Sequence, residues 1–253
     1  MDSISAAGEP QLLAPEEKKN SAASYVYTIG FVLLLLAFSY LGQDRVGRMQ
    51  SGRSHILLYS FQIVWEFILL GVVWVGARLA NLKFKDLIGG RWVSFETFLI
   101  DLVIAVVFWV VSIGVLAGLG YLVGLADASR VDEAKRLLQA IGPRSPKELL
   151  FWVLLSSSAG FCEEIIFRGY LQRQFAALLG NVWIGMLISA GIFGLSHGYQ
   201  GSRRMLLIAV YGALFGALAI FRKSLRPGMM AHAWHDSFEG AIGFFAGRSG
   251  LLK

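Results

Sequence analysis

The stretch LVIAVVFWVVSIGVLAGLGYLVGLA, Leu102 to Ala126, runs for 25 residues between Asp101 and Asp127 without a charged side chain. About 20 apolar helical residues cross the ~30 Å hydrocarbon core of a bilayer, so this segment is long enough to span one. Two further charge-free stretches, Asn20 to Gln43 and Gln174 to Ser202, repeat the pattern. The whole chain agrees with them: 56% of its 253 residues are apolar or aromatic and 16% are charged, at a mean hydropathy of +0.60. A water-soluble globule carries roughly 25% charged residues. The sequence therefore predicts an all-α, polytopic transmembrane helix bundle, a multi-pass integral membrane protein with the lipid bilayer as its first partner. A soluble enzyme and a nucleic-acid-binding module are excluded. The net charge of +6 sits in short loops between apolar spans, where basic residues flank a membrane, and no nucleic acid is expected as a partner.

Reading outward, about seven spans (six to eight) are expected. Residues 1–24 form a polar tail with no cleavable signal, followed by spans over Tyr25–Leu41 and Ile56–Ala77, the latter interrupted by Glu66. A basic loop with Arg45, Arg48 and Arg53 separates these two. Phe95–Leu125 is too long for one upright span, so it should tilt or break near Gly114, Gly118 and Gly120. Residues 25–125 form an N-terminal membrane region, and residues 126–148 a polar loop or surface helix with Pro143 and Pro146 as breakers. Residues 149–246 hold the remaining spans, with Gln172–Leu179 leaving along the interface, and 247–253 form a C-terminal tail. Small residues four apart (Gly194 and Gly198, Gly212 and Gly216) would let helix backbones approach closely. Lys and Arg divide almost evenly between the two sides, so no orientation follows. The single cysteine, Cys162, excludes an intramolecular disulfide and reads as packing.

An ionisable side chain inside a membrane helix is costly unless paired or hydrated, so each one marks a site. Residues 149–246 hold a dense set. In Cys162-Glu163-Glu164-Ile165-Ile166-Phe167-Arg168, adjacent carboxylates point about 100° apart around a helix. Glu164 and Arg168, at i and i+4, suit an ion pair. Glu163 is left without a local partner and is a candidate general base toward water. Phe193 precedes His197 by one turn. His232 and Asp236 stack one turn apart on another helix, with His235 and Glu239 as supporting partners. Gly194-Leu195-Ser196-His197-Gly198 matches G-x-S-x-G literally, but lacks the strand-to-helix elbow on which that nucleophile depends. No H-E-x-x-H is present.

Taken in order, E-E-x-x-x-R (Glu163, Glu164, Arg168) continued by Gly169 and Gln172, F-x-x-x-H (Phe193, His197) and H-x-x-x-D (His232, Asp236) resemble the motifs of the CPBP family. That family groups type II CAAX prenyl endopeptidases with bacteriocin-processing and self-immunity proteins. The resemblance covers about Leu149 to Ala246. It implies an intramembrane endopeptidase that cleaves near the C-terminus of a membrane-associated peptide or protein, prenylated or not. Glu163 and His197 would activate water, His232 with Asp236 would form the oxyanion side, and Glu164, Arg168, Phe193, His235 and Glu239 would support them. The family often has Asn at the position of Asp236. An ionised Asp only accepts hydrogen bonds, so here it is expected to orient His232. No cofactor is expected. Zinc is the alternative, with Glu163, His197 and His232 as its ligands. Two other readings stand beside the protease: a non-proteolytic immunity or scaffold protein of the same fold, and an ion-coupled transporter using Glu66, Asp101 and Glu239, which lacks the repeated halves of such folds.

Overall fold

The computed structural model describes residues 21–46, 54–124 and 127–249, and among them the chain forms helices and no strand. The polar tail up to Asn20, Arg48 and Arg53 of the basic loop, and the last four residues lie outside the described residues. In chain order the helices are α1 (Ala22–Val46), α2 (Ile56–Leu79), the short α3 (Phe84–Ile88), α4 (Phe95–Leu122), α5 (Ala128–Ile141), α6 (Pro146–Glu163), a π-helical segment (Glu164–Leu171), α7 (Gln172–Leu179), α8 (Val182–Ser196), a 3₁₀ turn (Gly198–Gln200), α9 (Ser202–Arg222) and α10 (Arg226–Arg248).

Among the described residues, five helical stretches are long and apolar enough to cross a membrane: Ala22–Leu41, Ile56–Leu79, Phe95–Leu122, the continuous Pro146–Leu179, and Ser202–Arg222. The two other expected spans are helices of a different kind. α8 is apolar but only 15 residues long, and α10 carries the polar stripe of His232, His235, Asp236 and Glu239. The chain is a polytopic helical membrane protein.

Of the tilt or break expected of Phe95–Leu125, the break does not occur: residues 95–122 form one unbroken helix, although Gly114, Gly118 and Gly120 lie within it. Breaking a helix in hydrocarbon would strand backbone N–H and C=O groups without partners, which outweighs the weak helix propensity of glycine. The break expected at Pro143 and Pro146 falls between α5 and α6, and Pro146 also starts the second of these helices. It occupies the first turn of α6, where no backbone N–H is needed, and Ser145 Oγ caps the helix by accepting from Glu148 N at 3.2 Å. Residues 172–179 continue the helix that begins at Pro146.

The stretch from α6 through α7 runs through the middle of the bundle. Ile165, Ile166, Phe167, Tyr170 and Leu171 are all nearly inaccessible, and α1, α2, α8 and α10 pack around this stretch. Close approach relies on missing side chains. A Cβ at Gly160 would lie 2.7 Å from the Met229 carbonyl oxygen and 2.8 Å from Ala233 N, so α6 and α10 touch backbone to backbone there. Gly194 does the same for α8 against α9, 2.6 Å from Met205 O. Gly198 lies beyond the end of α8, in the 3₁₀ turn, so only Gly194 of that expected pair packs a helix face. Trp152 on α6 ties the same two helices by donating from Nε1 to the Asp236 carbonyl at 2.7 Å.

Gly160→Val should therefore separate α6 from α10 and lower stability by about 1–3 kcal/mol or more. Gly114→Ala, which meets open space, should leave stability within ~0.5 kcal/mol. Thermal unfolding in detergent would show the contrast, and equal midpoints would contradict it.

Candidate active site

Glu163 is the last residue of α6, and the π-helical segment begins at Glu164. All eight residues of that segment are buried. An amphipathic α-helix buries one stripe, so burial around the full circumference means protein on every side. π-helical turns are rare and collect at functional sites. This one carries the first motif.

Arg168 Nη1 donates to Glu164 Oε1 at 2.9 Å, with both side chains at most 2% exposed. Arg168 Nη2 donates to the Gly212 carbonyl at 3.2 Å, and the guanidinium stacks 4.4 Å from the centre of the Phe193 ring. The expected ion pair is thus present, and Glu164 has a second partner. Its Oε1 also accepts from His232 Nδ1 at 3.0 Å. A carboxylate only accepts, so Nδ1 carries the proton and the ring of His232 is fixed. Its Nε2 then faces Glu163 Oε2 at 3.7 Å and Asp236 Oδ2 at 3.6 Å. Three carboxylates surround one imidazole. The hydrogen bond that fixes the ring comes from Glu164, while Asp236 stands beyond hydrogen-bond reach.

His197 occupies the end of α8. Its Nδ1 lies 2.8 Å from the Phe193 carbonyl, which can only accept, so Nδ1 carries a proton and Nε2 is the nitrogen left toward the site. Phe193 stands between the two histidines, its ring centre 4.8 Å from that of His197 and 6.2 Å from that of His232. Glu163, Glu164, Arg168, His232 and Asp236 therefore converge. His197 lies alongside, across Phe193, and makes no hydrogen bond to Glu163 or His232 among the described residues. His235 pairs with Glu239 at 3.3 Å and packs on Tyr211, forming the outward end of the stripe.

Glu163, His197 and His232 do not form a metal-holding set as they stand. No three His, Cys, Asp or Glu side chains converge in that way among the described residues.

Asp101 is a structural acid. It accepts from Arg222 Nε at 2.9 Å and Trp92 Nε1 at 2.8 Å, with Arg226 Nε at 3.4 Å. Cys162 is fully buried in the hydrophobic core. Glu66 differs from both. It is 3% exposed, is hydrogen-bonded to Ser158 on α6, and lies within electrostatic reach of Glu163, His232 and Asp236. The sequence signal for it was only a lone acid in an apolar span.

Residues 145–238 match the sequence model of the family described as Type II CAAX prenyl endopeptidase Rce1-like. Over this segment the chain is similar to the Rce1-like family. The match takes in all three motifs, from Glu163 to Asp236, and agrees with the resemblance read from them. That family is one of type II CAAX prenyl endopeptidases. No curated protein and no solved structure gives a significant match to the chain.

Arg168→Met would leave Glu164 buried and without its guanidinium. A loss of about 3–5 kcal/mol is expected, read as a fall in the unfolding midpoint in detergent. Pairing it with Glu164→Gln should recover part of the loss, and strict additivity of the two changes would contradict the shared-carboxylate arrangement.

Proposed function

We propose that this Rce1-like protein hydrolyses a peptide bond near the C-terminus of a membrane-associated substrate, with residues 149–246 as its catalytic region and a prenylated CAAX protein as the first substrate to test. The observation that carries this reading is the meeting of Glu163, Glu164, His232 and Asp236 within a membrane bundle, with Glu163 facing the Nε2 of a histidine fixed from behind.

Peptide hydrolysis needs a base for water, a donor for the developing oxyanion and a proton for the leaving amine. Glu163 takes a proton from water as its oxygen attacks the carbonyl carbon. His197 assists by accepting at its free Nε2. When protonated, His232 presents Nε2–H toward the space between Glu163 and Asp236 and donates to the oxyanion. Glu164 and Asp236 balance the charge of that imidazolium. As the C–N bond breaks, Glu163 returns the proton to the amine. The chain's own groups supply every part of this scheme, so we take the enzyme to need no zinc.

The Asp in place of Asn at 236 favours a second reading, a non-proteolytic immunity or scaffold protein, because an ionised Asp cannot donate to an oxyanion. Cleavage of a prenylated CAAX peptide by the native chain in proteoliposomes separates the two. Glu163→Gln and His232→Ala should each reduce kcat/KM by about 10²–10⁴-fold while leaving folded protein in the membrane. Retained cleavage in either variant would defeat the mechanism, and no cleavage by the native chain would favour the scaffold. Elemental analysis of active protein should find no stoichiometric zinc. One tightly held zinc per chain, lost together with activity, would reverse that assignment.

A further inference from the structure

Glu66 lies on α2, outside the segment that carries the family match. It is buried, and among the described residues no Lys or Arg pairs with it. Ser158 Oγ lies 2.5 Å from Glu66 Oε2, at the short end of the range for O–H···O hydrogen bonds, and 2.9 Å from the Leu155 carbonyl oxygen. A serine hydroxyl has one proton, and a carbonyl oxygen can only accept. The two contacts are both full two-centre hydrogen bonds when Ser158 donates to Leu155 and a protonated Glu66 donates to Ser158; with an ionised Glu66 the one hydroxyl proton would have to be shared between two acceptors.

The groups that face Glu66 explain why its charge state matters. From α6 come Glu163 and the Cys162 thiol, and from α10 come His232 and Asp236. On the π-helical segment, Glu164 is already closed on Arg168 and His232. α1, which also packs on α2, has no charged side chain between Ala22 and Leu41. Two carboxylates sharing a buried site cannot both ionise cheaply. Glu163 is the more open of the two and faces the imidazole. An ionised Glu66 would add negative charge beside the place where the oxyanion develops.

We propose that Glu66 is a positioning residue of the active site: a neutral carboxylic acid supplied by α2, hydrogen-bonded to Ser158, that leaves Glu163 as the ionised base and keeps further negative charge from the oxyanion. Its effect on rate rests on the protease reading, whereas its protonation does not.

The test has two arms, both on the full chain in lipid. Infrared difference spectra between native protein and Glu66→Gln should show the carbonyl stretch of a protonated carboxyl present in the former and missing from the latter. Ser158→Ala, which keeps Glu66, should move that band. Absence of the band at neutral pH, or a band that Ser158→Ala leaves in place, overturns the proposal. In the second arm, the pH profile for cleavage of the prenylated CAAX peptide by Glu66→Gln should have its alkaline limb moved up by about one pH unit or more relative to the native chain, because glutamine cannot ionise. An inactive Glu66→Gln, or superimposed pH profiles, overturns the catalytic part. If the native chain cleaves nothing, the protease reading has failed, and the infrared arm still decides whether Glu66 is neutral.

Discussion

One carboxylate oxygen, Oε1 of Glu164, accepts from Arg168 on its own helix and from His232 on α10. The rest of the site is arranged around that oxygen. Taking two charges out of water costs several kcal/mol per ion and is offset only when the remaining hydrogen-bonding capacity is also filled. Here Arg168 spends a second donor on the Gly212 carbonyl and lays its plane on Phe193, while Glu164 holds the imidazole. The pair that anchors the helix also fixes the tautomer of the histidine opposite. Stability and chemistry share one set of contacts, and damage to either partner is felt by both.

That arrangement makes a demand on the backbone. For a side chain on the π-helical segment to reach His232, α10 must lie against the helix that begins at Pro146, and Gly160 permits this by presenting no Cβ to Met229 and Ala233. Trp152 holds the same two helices together one step further along, at the Asp236 carbonyl. In a membrane, where lipid tails are as apolar as leucine, such contact between small residues and a few interhelical hydrogen bonds does the work that water does for a soluble core. Glu163, next to the anchored Glu164 but turned away from Arg168, is left facing the open side of the imidazole.

The spans and the motif residues were legible in the sequence because their signals are strong. Charge-free runs of membrane length have few other meanings, and carboxylates and histidines stand out against an apolar background. Other features had no such signal. Nothing in Glu164 to Leu171 marks a π-helix, since the extra residue per turn is imposed by packing on all sides and not by propensity. That Pro146 also starts the next helix had no signal of its own, because it depends on whether Ser145 caps that helix, a question of geometry. The double use of Glu164 was hidden because i, i+4 spacing shows only the partner within the helix, and the partner on α10 is 68 residues away. Glu66 was visible as an anomaly, but its neighbours Ser158, Glu163, His232 and Asp236 come from α6 and α10.

The departure at Asp236 gains a physical context from this geometry. With the ring fixed through Nδ1 by Glu164, position 236 is released from orienting the histidine, and an acid there can balance charge at Nε2. The claim on which the account rests is that Glu164 fixes His232 for the reaction. Its most direct measurement is the turnover of a prenylated CAAX peptide by Glu164→Gln, normalised to the amount of folded protein. The account predicts a fall in kcat of at least about 100-fold with KM little changed, as expected when an orienting carboxylate is lost. Native turnover in that variant would contradict it.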